Sequence, residues 1–158
     1  MLVYRITHKN FSKNLFVSGL KGRWNGSGRK VLYCAESIAL AFLENMVRRQ
    51  GVGFNGDFKI MIVEVPDHLG IRAIEVEDLG KGWRSFTDYS KCQPLGDRWY
   101  DEGGLPVLKV PSAVLPEAFN YVINTVHPEF AQVKLIGTTD LVPDERIEQI
   151  LKNYRFTP

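Results

Sequence analysis

Residues 31–49 have the sequence VLYCAESIALAFLENMVRR, which contains the clearest structural pattern in the chain. The first five residues, Val31–Ala35, form a short apolar run that includes strand-forming Val and Tyr, so they predict a buried strand. Ser37 is a preferred helix N-cap, and the residues after it include Ala, Leu, Phe and Met but no Gly or Pro. The sequence therefore predicts a strand that leads directly into a helix, which Gly51 and Gly53 would end.

The other segments predict several short strands and two more helices. Residues 21–30 contain three glycines together with Asn and Ser, so they predict a loop. Because strands and helices do not alternate regularly, we expect an α+β fold in a single domain over residues 1–158, with a mixed or antiparallel sheet and flanking helices. The predicted strands cover residues 2–7, 59–65, 71–76, 105–110, 121–124 and 133–136, and the two helices cover residues 97–102 and 143–152.

The size and charge of the chain argue against some classes of function. A length of 158 residues suits one domain with a full hydrophobic core. The 20 basic and 18 acidic residues nearly balance, so the overall charge gives no reason to expect a nucleic-acid or membrane partner. Residues 1–5 do not resemble the start of a secretory signal, and no apolar stretch has the length needed to cross a bilayer. We therefore expect a cytoplasmic protein.

The cysteines and histidines predict neither a disulfide scaffold nor a metal site. Cys34 and Cys92 are far apart, and no CxxC or Cys/His cluster accompanies them. Cys34 lies in an apolar run and is expected to be a buried free thiol. His8, His68 and His127 do not have the spacing of zinc ligands. His127, which precedes a proline, is interpreted as a structural turn residue, and no metal is expected.

The loop sequence Gly22-Arg23-Trp24-Asn25-Gly26 is the first candidate for chemistry. Glycines let a backbone approach a ligand closely, and the planar guanidinium of an arginine matches the oxygen atoms of a phosphate. The alternative is an ordinary surface turn, in which Arg23 is solvated and Trp24 anchors the loop. The residue types alone leave both interpretations open.

Glu44 and Tyr33 form the second candidate. Glu44 lies in the predicted helix beside Leu40, and a carboxylate on a largely apolar stretch is costly unless it is paired or functional. The alternative is a residue at the edge of the buried stripe, in a salt bridge with Arg48. Tyr33 lies in the strand just before this helix. Its ring can stack on a flat heterocycle while its hydroxyl makes one hydrogen bond, or it can be a core aromatic.

The third candidate region spans residues 110–124. Ser112 follows a predicted strand and a proline, so it is either a turn-capping hydroxyl or a ligand contact. No Gly-x-Ser-x-Gly sequence surrounds it, which argues against a serine-hydrolase nucleophile. Asn120 and Asn124 flank a strand-like segment and are expected to face the same side of it. Their amides can hold backbone groups or a ligand.

The order of these motifs closely resembles the RES-domain family, the toxins of bacterial RES–Xre toxin–antitoxin pairs. The family is named for an Arg, a Glu and a Ser, which match Arg23, Glu44 and Ser112, with Tyr33 as a fourth site residue. One departure is Asn124-Thr125, where the family often has Asn-Pro. The resemblance covers about residues 3–142, and its blocks are YRI at 4–6, GRWN at 22–25, VLYCAES at 31–37, ALAFLE at 39–44, GWR at 82–84, LGDRW at 95–99, VPSAV at 110–114, NYVIN at 120–124 and HP at 127–128.

This resemblance implies a fold similar to the ADP-ribosyltransferase toxins, with a split mixed sheet and a cleft for NAD⁺. It implies cleavage of the nicotinamide–ribose bond by a glycohydrolase or phosphorylase reaction, which would deplete NAD⁺ and arrest growth. NAD⁺ is then a substrate rather than a resident cofactor, and inorganic phosphate is a candidate co-substrate. A cognate Xre-type antitoxin is implied as the partner, together with self-association within the toxin–antitoxin complex.

The resemblance also suggests a role for each matched residue. Glu44 would stabilise the positive charge that develops on the ribose, Arg23 would grip the diphosphate, and Tyr33 would stack on or orient the nicotinamide. An ADP-ribosyltransferase acting on a protein or nucleic acid and a non-enzymatic binding module are the alternatives, whereas the near-neutral charge disfavours an RNA-cleaving toxin. The other residues expected to contact NAD⁺ are Ser112, Arg5 and Asn124.

Overall fold

The computed structural model describes residues 1–49 and 56–154, except for the side chains of residues 148 and 151–154. The strands are β1 (Leu2–His8), β2 (Val31–Ala35), β3 (Phe58–Glu64), β4 (Ile71–Ala73), β5 (Val107–Pro111), β6 (Phe119–Asn124) and β7 (Lys134–Asp140). The α-helices are α1 (Ile38–Arg48), α2 (Gln93–Glu102) and α3 (Glu145–Tyr154), and short 3-10 helices cover Lys9–Phe11, Val76–Asp78 and Pro128–Gln132.

The strands form one mixed sheet in the order β4-β5-β6-β2-β1-β3-β7. β4 and β5 are parallel, and the other neighbouring strands are antiparallel. β1 and β2 share only the register pair Tyr4 and Ala35, whereas β1 is paired with β3 along its whole length. The sheet is therefore divided between β1 and β2. This arrangement confirms the predicted α+β class and the mixed, split sheet with flanking helices.

The position of α1 follows from its N-cap and its apolar side. Ser37 is extended, with φ −143° and ψ 159°, and its hydroxyl accepts a hydrogen bond from the backbone N–H of Leu40 at 3.1 Å. This is the predicted cap. Leu40 and Ala41 are buried in one cluster with Ile6 of β1 and Ala35 of β2. The helix thus packs over the point at which the sheet divides.

A buried group of tryptophans fixes two irregular segments to the sheet. Trp24, Trp83 and Trp99 belong to one core cluster with Val122 of β6. Trp24 comes from the predicted loop at 21–30, and its burial agrees with the alternative in which it anchors the loop. Trp83 comes from the segment between β4 and α2. The loop around Arg23 and the segment that begins at Trp83 are consequently held on the same half of the sheet.

The other sheet face has its own core and contains the predicted free thiol. Cys34 is 4% exposed and packs with Val3, Leu32 and Met61. Both Cys34 and Cys92 are free cysteines. The expectation for Cys34 is confirmed, since a thiol in an apolar cluster packs as a small hydrophobic side chain.

β4 is shorter than predicted. The expected strand over residues 71–76 ends at Ala73, and Val76–Asp78 form a 3-10 turn instead. The Asp78 side chain accepts a hydrogen bond from the Glu75 backbone N–H at 3.0 Å, and the Asp78 N–H donates to the Glu75 carbonyl oxygen at 3.1 Å. This pair of hydrogen bonds favours a turn over continued strand pairing.

α2 is longer than predicted. It begins at Gln93 rather than at residue 97, with Pro94 in its first turn. The backbone N–H groups of the first turn have no partner within a helix, so a proline there costs no hydrogen bond. It ends at Glu102, and the capping residue Gly103 has a φ of 59°, which is left-handed and suits glycine. The helix end predicted at Gly51 and Gly53 lies outside the described residues. Within the part of the chain that the structure describes, no helix is both long and apolar enough to span a membrane.

Candidate functional site

Glu44 lies where α1 meets the turn between β5 and β6. Its carboxylate oxygen Oε1 accepts hydrogen bonds from Ser112 Oγ at 2.7 Å and from Asn120 Nδ2 at 2.5 Å. The other oxygen, Oε2, accepts no hydrogen bond from the described residues and is not one of the buried polar atoms that lack a partner, so it is accessible to solvent. The alternative salt bridge with Arg48 is not formed in this part of the chain. One carboxylate oxygen is therefore anchored, and the other is open.

Ser112 uses its full hydrogen-bonding capacity within the protein. A serine hydroxyl has one proton to donate and two lone pairs that can accept. The backbone N–H groups of Val114 and Leu115 donate to Ser112 Oγ, each at 3.1 Å, and its proton is donated to Glu44. The residue is fully buried. It is thus the turn-capping hydroxyl that the sequence allowed, and its direct contact with NAD⁺ remains a prediction that would require one of these bonds to be exchanged.

The register of β6 separates its two asparagines. Asn120 lies opposite Ala35 of β2, directly before the entry to α1, and this position brings its amide to Glu44. Asn124 lies opposite Val31 at the other end of the strand, where its Oδ1 accepts a hydrogen bond from Val126 N at 3.0 Å. Both face the same side, as expected from strand alternation. The contact of Asn124 with NAD⁺ remains a prediction. The contact of Asn120 with Glu44 can be predicted only when the strand register is known.

Tyr33 holds the Gly22–Asn25 turn in place. Its hydroxyl donates to Asn25 Oδ1 at 2.7 Å and accepts from the Trp24 backbone N–H at 3.0 Å. Burial raises the pKa of Tyr33, so the phenol keeps the proton that it donates. A Cβ atom at Gly22 would lie 2.7 Å from the Tyr33 hydroxyl, so this position has no room for a side chain. The sequence leaves a core role and a ligand role open, and in the structure the hydroxyl is bonded to the turn.

Arg23 is bound to the segment that follows Trp83. Its guanidinium donates to the backbone carbonyl oxygens of Trp83 at 2.5 Å, Arg84 at 3.4 Å and Ser85 at 2.9 Å. It also lies over the ring of Tyr89, with Cζ 4.8 Å from the ring centroid. The predicted alternative of a solvated arginine is therefore wrong. The predicted grip on the diphosphate remains a prediction, to be met by the N–H groups that these carbonyls do not use.

Arg84 joins the Arg23 segment to the turn that contains Ser112. Its Nε donates to the carbonyl oxygen of Ala113 at 2.8 Å, and its Nη2 donates to that of Val114 at 3.3 Å. A chain of direct contacts thus leads from Arg23 through Arg84 to the turn after Ser112, and from there to Glu44. Three of the four residues matched to the family, Arg23, Ser112 and Glu44, belong to this series of contacts. The fourth, Tyr33, supports the loop that contains Arg23.

α2 supports the loop from the other side. Gln93 Nε2 donates to the carbonyl oxygens of Gly22 at 2.9 Å and Asn25 at 3.1 Å. Asp97 Oδ1 accepts a hydrogen bond from the Gly26 backbone N–H at 2.7 Å. A Cβ atom on Gly96 would lie 1.9 Å from the Trp24 carbonyl oxygen, so the helix approaches the loop backbone directly. These polar contacts explain why a glycine-rich loop has a defined shape.

No hydrogen bond or ion pair joins Arg5 to Glu44. Its neighbours in β1, Tyr4 and Ile6, pack in the cluster below α1, so strand alternation directs Arg5 towards the opposite face. Burial lowers the pKa of Arg5, although a guanidinium keeps its charge in proteins. It forms no hydrogen bond or ion pair with any described residue. The predicted contact of Arg5 with NAD⁺ remains a prediction.

His127 has the structural role expected from the sequence. Its Nδ1 accepts a hydrogen bond from the Glu129 backbone N–H at 3.2 Å and caps the 3-10 helix Pro128–Gln132. Across residues 1–49 and 56–154, no group of three or more His, Cys, Asp or Glu side chains is arranged to hold a metal ion.

A surface groove of about 870 Å³ lies away from these residues, beside β7. Lys9, Lys13 and Lys59 are among the residues that line it, but none of the predicted site residues does. Lys9 is paired with Asp57 and Lys59 with Asp140. Because none of the predicted site residues lines this groove, we place the candidate site at Glu44.

Comparison with known proteins identifies one family along most of the chain. A model described as the RES domain matches residues 2–147. A protein named Toxin Res from Pseudomonas putida is 32% identical over 130 residues, which cover 81% of this chain and 86% of that protein. A protein of the same name from Photorhabdus laumondii is 26% identical over 157 residues, covering 96% and 100%. A Prs ADP-ribosylating toxin from a Sphingobium species is 33% identical over 116 residues, covering 72% and 71%.

The fold is also similar to a chain in the crystal structure of the M. tuberculosis MbcT–MbcA toxin–antitoxin complex. The TM-score is 0.70, and the match covers 99% of this chain and 89% of that one. The sequence identity is 17%, so this likeness concerns the fold alone. Together with the family match over residues 2–147, the likeness to the P. putida protein shows that this chain belongs to the RES domain family.

Proposed function

We propose that the protein is a toxin that cleaves the nicotinamide–ribose bond of NAD⁺ and so arrests growth by depleting it. The main support is the geometry of Glu44, whose Oε1 is fixed by two donors while Oε2 is open. A carboxylate held beside a sugar stabilises the positive charge of a glycosidic transition state. The relatives named Toxin Res support the toxin part of the proposal.

The proposed reaction needs no strong general acid. Nicotinamide is attached to the ribose as a cationic pyridinium, and it leaves neutral because it takes the electron pair of the breaking bond. The ribose carbon is left with oxocarbenium character, which Oε2 of Glu44 stabilises. Water then adds to give ADP-ribose and a proton, or inorganic phosphate adds to give a phosphorylated ADP-ribose. NAD⁺ is the substrate in both cases, and the phosphate is a co-substrate in the second.

Arg23 and Tyr33 complete the proposed substrate site. An arginine has five N–H donors, and Arg23 uses three of them for the carbonyl oxygens of the segment Trp83 to Ser85. The remaining donors are assigned to one phosphate of the diphosphate. The Tyr33 ring is assigned to the nicotinamide, since its hydroxyl is engaged with the turn and only its face is left.

Transfer of ADP-ribose to a macromolecule is the second candidate function. The observation that favours it is the 33% identical relative, which is named as a Prs ADP-ribosylating toxin. The bond that breaks and the role of Glu44 are the same, and only the acceptor differs. A binding module without activity is disfavoured, since all four matched residues, Arg23, Tyr33, Glu44 and Ser112, are present.

An antitoxin partner belongs to the same proposal. The MbcT–MbcA structure, whose fold this chain resembles, is a toxin–antitoxin complex. We propose a cognate Xre-type antitoxin for this chain, self-association of the chain within that complex, and a cytoplasmic location, where NAD⁺ is available.

The experiment that tests this function follows NAD⁺ and its products with purified protein freed of antitoxin, with and without inorganic phosphate. Nicotinamide together with ADP-ribose identifies a glycohydrolase, and a phosphorylated ADP-ribose formed only with phosphate identifies a phosphorylase. NAD⁺ labelled in its adenylate part distinguishes the second candidate, because the label would then remain on a macromolecule. A folded protein that consumes no NAD⁺ under any of these conditions contradicts the proposal.

A further inference from the structure

Two side-chain donors from different parts of the hairpin converge on the same oxygen of Glu44. Ser112 donates from the residue after β5, and Asn120 donates from β6, and both reach Oε1. The β5–β6 ladder fixes their separation, because Val110 lies opposite Asn120 and Pro111 opposite Phe119. The pair of donors is therefore part of the sheet rather than of a mobile side-chain network.

A single donor would not define the orientation of the carboxylate. The last torsion of a glutamate side chain joins an sp³ to an sp² carbon and has a broad energy minimum, so one hydrogen bond leaves the carboxylate free to swing. A second donor to the same oxygen restricts this torsion. Two backbone N–H groups of the turn fix Ser112 Oγ, whose one proton goes to Glu44, so the amide of Asn120 is the second donor that selects the orientation.

We infer that Asn120 is a positioning residue for Glu44, which holds Oε1 so that Oε2 faces the ribose of the substrate. This inference rests on the proposed function, since it assigns Oε2 to the reacting sugar. Asn120 itself does not touch the substrate, and it acts only through the carboxylate. Its removal should slow the chemical step without weakening substrate binding, because the loops around Arg23 and Tyr33 do not depend on it.

The test is a double-mutant cycle with Asn120→Ala and Glu44→Gln, measured as kcat and KM for NAD⁺. Asn120→Ala alone should lower kcat by about 10- to 100-fold with KM nearly unchanged, since a misplaced catalytic group costs about this much. In the Glu44→Gln background it should have almost no further effect, because the charge that it positions is gone. A residue that only stabilises the fold would lower activity in both backgrounds.

Ile123→Val is the matched control for stability. Ile123 is buried in the same strand but packs on the other face, away from Glu44. This substitution should lower the melting temperature by a few degrees while leaving kcat unchanged. Wild-type kcat in Asn120→Ala, or the same loss in the presence and absence of Glu44, overturns the inference.

A readout in cells separates failure of the inference from failure of the proposed function. If the wild-type protein arrests growth but consumes no NAD⁺, the proposed function is wrong. Asn120 is then tested by growth arrest, which Asn120→Ala should relieve and Ile123→Val should not at equal protein levels. Equal arrest by both variants overturns the role of Asn120. A wild-type protein that neither arrests growth nor consumes NAD⁺ overturns both proposals.

Discussion

Gly22 controls the position of Tyr33 by having no side chain. A Cβ atom there would lie 2.7 Å from the Tyr33 hydroxyl and 2.8 Å from Asn25 Oδ1, so alanine must push the tyrosine away from the turn. We predict that Gly22→Ala lowers NAD⁺ turnover by at least about 10-fold, since small displacements in a site have large effects on rate. Gly56→Ala is the control, because a Cβ atom at Gly56 meets nothing within 4 Å. Equal activity of the two variants would contradict this role.

Ser112 affects stability as well as the site. Replacing it by alanine leaves Val114 N and Leu115 N without their acceptor and leaves Glu44 with one donor. We predict that Ser112→Ala lowers the free energy of unfolding by about 1–3 kcal/mol, the cost of leaving buried polar groups unpaired. Urea unfolding provides the measurement. Ser27→Ala is the control, since Ser27 is exposed, and a loss no larger than in this control would refute the prediction.

The sequence supplies the identity of the main site residues but not their hydrogen-bond partners. Arg23, Tyr33, Glu44 and Ser112 are found by their position in a family pattern. The partners of Arg23 are carbonyl oxygens 60 to 62 residues away, and backbone carbonyls have no signature in a sequence. The same limit explains why the sequence predicts a site contact for Asn124 and not for Asn120, because both are asparagines on one strand face and only the register with β2 separates them.

At the scale of elements, the docking of α2 on the loop depends on Gly96. A Cβ atom at this position would lie 1.9 Å from the Trp24 carbonyl oxygen, and backbone cannot yield as a flexible side chain can. We predict that Gly96→Ala displaces α2, lowers the melting temperature by several degrees and reduces NAD⁺ turnover, although alanine is the better helix former. Gly104→Ala should change neither quantity, because a Cβ atom at Gly104 meets nothing within 4 Å. An unchanged or more stable Gly96→Ala variant would refute this packing role.

Local patterns predict elements well where their own residues define them. The strand Val31–Ala35 and the start of α1 after Ser37 agree with the sequence, because an apolar run and a capping residue are local signals. β4 ends early because Glu75 and Asp78 are hydrogen-bonded in a turn, and α2 starts early with a proline in its first turn. Those boundaries depend on particular local contacts, which the hydrophobic periodicity of the sequence does not predict.

For the molecule as a whole, burial of Cys34 creates a weakness at alkaline pH. Burial raises the pKa of this thiol from 9.0 to about 12. Because the pKa of Cys34 is higher in the folded than in the unfolded chain, the stability that the protonated thiol contributes is fully present below about pH 9. This contribution is lost as the pH rises through about 12. The free energy of unfolding should fall by up to about 1.4 kcal/mol per pH unit in this window, since only the unfolded chain releases the proton.

Cys34→Ala tests this pH dependence in urea unfolding between neutral and alkaline pH. The variant should be less stable at neutral pH but should lose less stability on going to high pH. Tyr33, whose pKa burial also raises, contributes in the same direction and accounts for part of the slope that remains. Parallel curves for the variant and the wild-type protein would show that Cys34 does not cause the alkaline loss.

The overall class follows from the sequence, but the division of the sheet does not follow from periodicity. The irregular order of strands and helices indicates an α+β fold. The neighbours of β1 are β2 and β3, and no local sequence pattern indicates that β1 shares only one register pair with β2. Only the family resemblance predicts the split sheet, which brings α1 and Glu44 to the point of division.

The comparison of Glu44→Gln with the wild-type protein, in NAD⁺ consumption with products resolved, tests the central claim most directly. Glutamine keeps the shape of the side chain and an oxygen for Ser112 and Asn120, while the charge at the open oxygen is lost. The account predicts a folded variant, with an unchanged melting temperature and kcat lowered by about 100- to 1000-fold. A Glu44→Gln protein that consumes NAD⁺ at the wild-type rate would contradict the assignment of this carboxylate to catalysis.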